Sequence, residues 1–348
     1  MTDTAPGVQR FFADPRTDPW RAALWLVGGF LLIRLVALFA TPLELYPDEA
    51  QYWLWSRELS FGYYSKPPMI AWLIWLTTAI GGDSEPVVRL SSPILHAGTA
   101  LVLFAIGRRL YTPWTGFVAA LLYTLMPGVQ LSSGIVSTDA PLLFFLSLAL
   151  LAYVSGLDAT EARRRLLCGA GLGAALGLAF LSKYAALYAL IGLAAHAAMD
   201  EGARRFWLSR AGAAALVAFA LIVGPNLAWN ASHGFATVSH TAANANWNAD
   251  SLVNPGSALS FVAEQTAVFG PVPFVALLIG LWLLIRARGR GEAADRLLLC
   301  FVLPPLIVVT VQAFLSRANA NWAAAAYVGA APLVAAWLLR WNARRWLA

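Results

Sequence analysis

The sequence predicts an all-α, polytopic integral membrane protein, and three observations support that prediction. Hydrophobic residues make up 59% of the 348 residues and charged residues only 12%, whereas an ordinary soluble domain is about 25% charged. The mean hydropathy is +0.65. Apolar runs long enough to cross a hydrocarbon core of about 30 Å recur along the whole chain. We therefore expect a single transmembrane domain over 1–348.

Ten apolar runs are long enough to span a membrane, and an eleventh is not. The ten lie near 22–41, 87–107, 113–130, 139–156, 166–182, 184–199, 207–225, 258–285, 296–315 and 321–339. The eleventh, Met69 to Ile80, has only about a dozen residues, which predicts a re-entrant or interfacial helix. This arrangement leaves two long outer loops, at 42–86 and 226–257, and among the short outer segments the polar stretch from Ser316 to Trp322.

The basic residues predict the orientation. With ten spans, 18 of the 24 lysines and arginines fall on one side, and an excess of positive charge marks the cytoplasmic side. Both termini are therefore expected in the cytoplasm and both outer loops in the periplasm of a bacterial inner membrane. Because the cytoplasmic segments explain most of the basic residues behind the net charge of +6, nucleic-acid binding is not predicted. The cytoplasmic set is Arg10, Arg16, Arg21, Arg108, Arg109, Arg163, Arg164, Arg165, Arg204, Arg205, Arg210, Arg286, Arg288, Arg290, Arg296, Arg340, Arg344 and Arg345.

The basic residues that topology does not explain suggest an anionic ligand. Both lysines of the chain, Lys66 and Lys183, belong to this group. A compact ammonium on a flexible stem suits a phosphate. The alternative, which stays open, is that each lysine extends from a helix end to the membrane surface. The candidate phosphate-binding residues are Lys66, Arg57, Lys183, Arg89 and Arg317.

The stretch from Leu45 to Pro68 combines two adjacent carboxylates with aromatic residues and a lysine. Proline at position 47 followed by Asp48 and Glu49 is typical of a helix start. At helical spacing Asp48 shares a face with Tyr52 and Trp55, so we predict Asp48 as a proton acceptor. The alternative is that the acids only decorate an interfacial helix, and it has more weight for Glu49.

A second acid, Asp139, opens the span that begins in Ser-Thr-Asp-Ala-Pro. This pattern is typical of a helix N-cap, and from spacing alone capping is the preferred interpretation. A catalytic role remains compatible with it. The candidate catalytic residues are therefore Asp48, Glu49 and Asp139.

The polar loop after the seventh span carries His233 and His240 near Asn230. No third ligand stands at a familiar spacing, so we predict no metal site and no cofactor, although a divalent ion is compatible with the chemistry. Contacts to a sugar or head group are preferred. The candidate substrate-binding residues are Tyr52, Tyr63, Tyr64, Trp55, Asn230, His233 and His240.

Several of these motifs together resemble the GT-C glycosyltransferases of the protein O-mannosyltransferase and lipid A aminoarabinose transferase superfamily. They are the Asp-Glu pair at 48–49, Tyr-Tyr-Ser-Lys-Pro-Pro at 63–68, Thr-Asp-Ala-Pro at 138–141, Phe-Leu-Ser-Lys-Tyr at 180–184 and the Trp-Asn-x-x-His loop. The resemblance runs from about Ala22 to the end of the tenth span. Relative to better-known members the chain is shorter and is expected to lack a C-terminal soluble domain.

The resemblance implies an enzyme that moves a sugar from a polyprenyl-phosphate donor to a lipid-linked glycan, lipid A or its core, or a protein at the periplasmic face, with inversion. It implies Asp48 as the catalytic acid, Lys66 as the lysine near the donor phosphate and Asp139 as the second acidic position. The rival class is a lipid or sugar transporter or flippase, because charges in membrane proteins also mark substrate paths. A non-catalytic scaffold would explain the topology but not the two lysines.

Overall fold

The computed structural model describes residues 18–247, 252–287 and 291–341. All regular structure in these ranges is helical, which confirms the predicted all-α class. The first helices are α1 (Pro19–Ala40), α2 (Pro47–Ser56), α3 (Met69–Gly81), α4 (Glu85–Arg89), α5 (Ser91–Leu110), α6 (Pro113–Leu125), α7 (Pro127–Ser132), α8 (Asp139–Leu157) and α9 (Ala162–Ser182). They are followed by α10 (Leu187–Met199), α11 (Glu201–Trp207), α12 (Arg210–Ser232), α13 (Ala236–Ala243), α14 (Pro255–Phe269), α15 (Pro271–Arg286), α16 (Ala293–Leu315) and α17 (Ala326–Arg340).

Six stretches of helix in the described ranges are long and apolar enough to cross a membrane, by length and composition. They are α1, α4 with α5 (Glu85–Leu110), α8, α9, α12 and α16. Five shorter apolar helices accompany them, so the count of ten crossings stays a prediction. Six arginines used for the orientation, Arg10, Arg16, Arg288, Arg290, Arg344 and Arg345, and residues 248–251 of the second outer loop lie outside the described residues.

Three of the predicted spans differ from the helices that the structure shows. The run at 258–285 is two helices, α14 and α15, because Gly270 adopts φ +102 and Pro271 starts a new helix. The run at 113–130 is likewise divided at Pro127. The seventh span continues through Asn226 to Ser232 although the helix contains Pro225, so the first residues of the predicted polar loop are helical.

Small residues let the central helices approach closely. A Cβ added to Gly169 or Gly173 on α9 would lie about 2 Å from the backbone oxygens of Ala211 and Ala215 on α12. Helix pairs in membranes commonly pack on such small residues. The α9 helix packs between α8 and α12. This packing fixes the position of the C-terminal end of α9, where Lys183 follows.

The short helices α2 and α3 lie at one end of the bundle, joined by an irregular segment from Arg57 to Pro68. We call this segment the lysine loop because it carries Lys66. The start of α8, the end of α9 and the α12–α13 corner all contribute contacts at this same end. The candidate site is built from these parts.

Candidate active site

Asp48 lies in the first turn of α2, as the sequence predicts. Tyr46 before the helix is extended, and its N–H donates to Glu49 Oε2 at 3.0 Å. The Asp48 side chain is exposed. No hydrogen bond or ion pair engages its carboxylate among the residues in 18–247, 252–287 and 291–341. Asp48 is therefore free to meet a substrate.

Glu49 points the opposite way, into the protein, and this corrects its prediction as a catalytic residue. The Arg89 side chain donates to Glu49 Oε1 at 2.9 Å and to Oε2 at 2.7 Å. The two side chains are 1% and 3% exposed. Glu49 Oε1 also accepts the N–H of Val136 at 2.7 Å. Both oxygens are occupied and sealed from solvent, so Glu49 is structural.

Arg89 is corrected in the same way as a phosphate-binding residue. Besides Glu49, its guanidinium donates to the carbonyl oxygens of Leu43 and Glu44 at 2.9 and 2.8 Å. These bonds fix the position of the non-helical segment that leads into α2. An arginine buried and engaged at this level has no free face for an incoming ligand.

The hydrogen bonds control the ionisation of Glu49. Burial alone would raise the pKa of this carboxyl, but the Arg89 guanidinium and the N–H groups of Tyr46 and Val136 hold the pKa below its usual 4.5. Glu49 is thus held as an anion that matches the arginine charge.

Lys66 and Lys183, distant in sequence, line one cavity of about 350 Å³. Lys66 reaches it from the lysine loop and Lys183 from the end of α9. Other parts of the wall come from α10, α13, α16 and the turn before α17. The lining residues are Ser65, Lys66, Pro67, Lys183, Tyr184, Ala185, Leu187, Tyr188, Thr241, Asn244, Ala245, Val308, Gln312 and Trp322.

Asp139 is an ion-pair partner rather than a helix cap. Its Oδ1 accepts the Lys183 ammonium at 2.7 Å, and its Oδ2 accepts the Asn321 amide at 2.8 Å. The side chain makes no capping bond to the first turn of α8. The preferred capping interpretation is therefore wrong, because the carboxylate is drawn sideways to a cation on the neighbouring helix.

The four charged groups act on one another. Burial, followed by the charge of Lys183, lowers the pKa of Lys66 from its usual 10.5, and the charges of Asp48 and Asp139 partly offset this. Burial and the same two carboxylates raise the pKa of Tyr52. Two lysines and two aspartates therefore share one neighbourhood, although Asp48 itself stands beside the cavity rather than on its lining.

Most of the predicted aromatic contacts prove to be internal packing. Tyr52, Trp55 and Tyr63 form a continuous stack, with ring centroids 5.5 and 4.9 Å apart. Tyr52 is 4% and Tyr63 8% exposed. The Tyr63 hydroxyl lies 3.0 and 3.1 Å from the carbonyl oxygens of Glu58 and Trp55. These three residues shape the lysine loop. Burial corrects the prediction of Tyr52 and Tyr63 as substrate contacts, whereas Trp55 is half-buried and its predicted role stays a prediction.

The remaining predicted residues are dispersed. Asn230 is fully buried, which corrects its assignment as a substrate contact. His233 is exposed and stacked on Trp229, with centroids 4.1 Å apart. His240 lies 5.1 Å from the exposed ring of Tyr64. None of them lines the cavity within the described residues.

Two predicted phosphate-binding arginines also lie off the cavity lining. Arg57 is bonded to Asp83 and lies 4.7 Å over the Trp53 ring. Arg317 is exposed, and its carbonyl accepts the amide of the cavity residue Gln312 at 3.1 Å. Their predicted roles stay predictions.

The sequence analysis missed the neutral part of the site. Asn321 and Trp322 come from the short turn before α17, and Gln312 comes from the last helical turn of α16. The only signal was the polarity of Ser316 to Trp322 at the predicted outer surface. No group of three or more metal-ligating side chains occurs in the part of the chain that the structure describes.

Comparison with known proteins identifies the family. Residues 65–229 match the dolichyl-phosphate-mannose-protein mannosyltransferase family. A lipid A galacturonosyltransferase, RgtD of Rhizobium johnstonii, is 40% identical over 92% of this chain. The crystal structure of ArnT from Cupriavidus metallidurans superposes on 92% of this chain with a TM-score of 0.71 at 19% identity. The chain belongs to the GT-C glycosyltransferase superfamily.

The superfamily members matched here include enzymes named for a polyprenyl donor. An undecaprenyl phosphate-4-amino-4-deoxy-L-arabinose arabinosyl transferase of Pseudomonas fluorescens is 31% identical over 60% of this chain. A second ArnT structure, bound to undecaprenyl phosphate, has a TM-score of 0.70 over 92% of this chain and 62% of its own, at 18% identity. The chain spans 66% of RgtD, 37% of the Pseudomonas enzyme and 61% of apo ArnT.

Proposed function

We propose that this GT-C protein transfers a sugar from a polyprenyl-phosphate donor to lipid A or a related glycolipid. The observation that carries the proposal is the cavity in which Lys66 and Lys183 meet beside Asp48 and Asp139. The curated relatives support the substrate classes, since one is named for lipid A and the other for undecaprenyl phosphate. Both are transferases, so we do not carry the transporter alternative forward.

The proposed reaction is a single displacement. The acceptor oxygen attacks the anomeric carbon while the bond from that carbon to the phosphate oxygen breaks, and the phosphate leaves with the electron pair. Inversion follows from attack opposite the leaving group. The phosphate is a good leaving group, so the main requirement is a cation that stabilises its developing charge, which Lys66 supplies.

Asp48 takes or orients the acceptor proton, because its carboxylate is exposed and unengaged. The ion pair of Lys183 with Asp139 has a different part. Asp139 pairs with this lysine at 2.7 Å, so the second ammonium is held at the cavity wall, where a donor phosphate would meet it. We further propose one membrane domain in the bacterial inner membrane, with cytoplasmic termini and a periplasmic site.

The decisive experiment is mass spectrometry of lipid A and other envelope glycolipids from cells with and without the gene. We expect one glycolipid to lose a single sugar in the deletion strain and to regain it on complementation. An unchanged glycolipid profile, with a substrate accumulating on one side of the membrane, would contradict the proposal and favour transport.

Replacing Lys66 by alanine is expected to weaken the binding of undecaprenyl phosphate by about 10- to 100-fold, because a charge-assisted hydrogen bond contributes about 1.5–3 kcal/mol. Affinity can be measured in detergent by the concentration dependence of thermal stabilisation. Since the pKa of Lys66 is lowered from 10.5, wild-type affinity should also decline with rising pH before an ordinary lysine would lose its proton.

Arg205→Ala is the matched control for this loss of a cation. Among the described residues, Arg205 pairs only with Glu201 one helical turn away, and both side chains are 69% exposed. Its affinity should equal that of wild type. Equal affinities for Lys66→Ala and wild type would remove Lys66 from the phosphate site.

A further inference from the structure

The lysine loop is held on one side by its own Tyr63 and by Trp72 of α3, and on the other by the α12–α13 corner. On the inner side, Ser60 N–H donates to the Tyr63 hydroxyl at 3.0 Å and Trp72 Nε1 donates to Ser60 O at 2.9 Å. These bonds fix the first half of the loop. They leave the backbone carbonyls of Phe61 and Tyr63 facing α12 and α13.

Two buried side chains meet those carbonyls. Asn226 Nδ2 donates to Phe61 O at 2.6 Å, and Thr237 Oγ1 donates to Tyr63 O at 2.5 Å. Asn226 and Thr237 are both 0% exposed. A buried amide or hydroxyl that donates to loop backbone costs stability if its partner moves, so each bond holds the loop to one position.

Glycine at position 62 brings the loop against an aromatic face between these two bonds. A Cβ at Gly62 would lie 2.3 Å from Trp229 Cε3. Trp229 is itself backed by His233, stacked at an interplanar angle of 12°. The loop backbone at Gly62 therefore packs against the Trp229 ring, which itself stacks on His233. Trp229 and His233 thus have a structural role at the site.

The same corner also holds the segment after Lys183. The Tyr184 hydroxyl donates to Asn226 Oδ1 at 3.2 Å and accepts from Asn230 Nδ2 at 3.2 Å. Tyr184 follows Lys183 directly and lines the cavity with it. Asn226 therefore contacts the segments that carry both lysines. Its Nδ2 bonds to the lysine loop, which carries Lys66, and its Oδ1 bonds to Tyr184, which follows Lys183.

We propose that Asn226 and Thr237 are positioning residues that set the place of the Lys66 ammonium relative to Lys183. The inference rests on the proposed function for its consequence in donor binding. It does not rest on that function for the geometry, which consists of the hydrogen bonds from Asn226 and Thr237 to the loop. Neither residue lines the cavity. Both act on Lys66 through the loop backbone, and both also contact Tyr184, which follows Lys183.

The sharpest variant is Thr237→Val, which keeps the shape of the side chain and removes the hydroxyl. Thr237→Ser keeps the hydroxyl and is the rescue variant. Ser239→Ala, at an exposed position on the same helix, is the control for changes to α13. A purely structural role would lower the amount of folded protein in Thr237→Val but would leave the lysines of the folded fraction unchanged.

The chain has only two lysines, so carbon-13 dimethylation followed by NMR gives two lysine signals, and Lys66→Arg assigns them. The charged groups that act on Lys66 are Lys183, Asp48 and Asp139. We expect Thr237→Val to move the Lys66 titration towards that of an ordinary lysine, because the ammonium leaves its buried place. Thr237→Ser and Ser239→Ala should titrate as wild type. An unchanged Lys66 titration in Thr237→Val would overturn the proposal.

Undecaprenyl phosphate binding supplies the second measurement. Thr237→Val should weaken affinity about tenfold, as expected for one lost hydrogen bond. In a Lys66→Ala background the same change should have no further effect, because the two residues act through one ammonium. Additive losses would contradict positioning. If the wild type does not bind undecaprenyl phosphate, the proposed function fails, and the Lys66 titration still decides whether Thr237 positions the lysine.

Discussion

Asp48→Asn is expected to lower the rate of sugar transfer by about 10²- to 10⁴-fold, the usual contribution of a positioned general base. Folding should be unaffected, because the carboxylate is exposed and no described residue bonds to it. Transfer can be followed with purified enzyme, a polyprenyl-phosphate sugar and lipid A by mass spectrometry of the product.

Glu44→Gln is the matched control for loss of a nearby negative charge. Glu44 is exposed in the segment that leads into α2, and within the part of the chain that the structure describes only its backbone carbonyl is bonded, to Arg89. It should retain normal transfer. A well-folded Asp48→Asn enzyme with normal transfer would show that another group, or no group, accepts the proton.

Breaking the buried pair of Glu49 and Arg89 is expected to have the largest effect on stability. Arg89→Ala leaves the Glu49 carboxylate buried without its cation, and such a change costs about 3–5 kcal/mol. The free energy of unfolding can be measured by titrating detergent-solubilised protein with a denaturing detergent. Arg205→Ala, which removes an exposed pair, should cost less than about 1 kcal/mol.

The same pair predicts a pH dependence. The folded-state pKa of Glu49 lies below its usual 4.5, so its contribution to stability is present above that value. The contribution is lost as the pH falls below 4.5 through the lowered pKa. Wild type should therefore lose stability on acidification, and the loss should be smaller in Glu49→Gln. Equal acid sensitivity in both proteins would refute this assignment.

Local patterns were sufficient for the helix start at Pro47, the unengaged Asp48 and the two lysines of one site. They could not show which of two adjacent carboxylates faces the protein, because that depends on where Arg89 lies after folding. Asp139 begins α8 and its partner Lys183 follows the end of α9, so spacing alone favoured a cap, and only the family resemblance indicated a second acidic position. In contrast, the break between α14 and α15 could have been predicted from Gly270 and Pro271.

The aromatic residues illustrate a different limit. A tyrosine or tryptophan at a membrane surface has the same composition signal whether it meets a sugar, lipid or other aromatic rings. Only the three-dimensional fold shows that Tyr52, Trp55 and Tyr63 stack on one another. Trp322 is recognised as a lining residue of the cavity only because the turn before α17 reaches it.

The buried pair also bears on how the chain is synthesised and inserted. Arg89 lies within the apolar stretch Glu85–Leu110, and a bare arginine resists entry into lipid. Its partner Glu49 precedes it by 40 residues and therefore leaves the ribosome first. The carboxylate that neutralises the arginine is therefore already synthesised when the apolar stretch Glu85–Leu110 emerges.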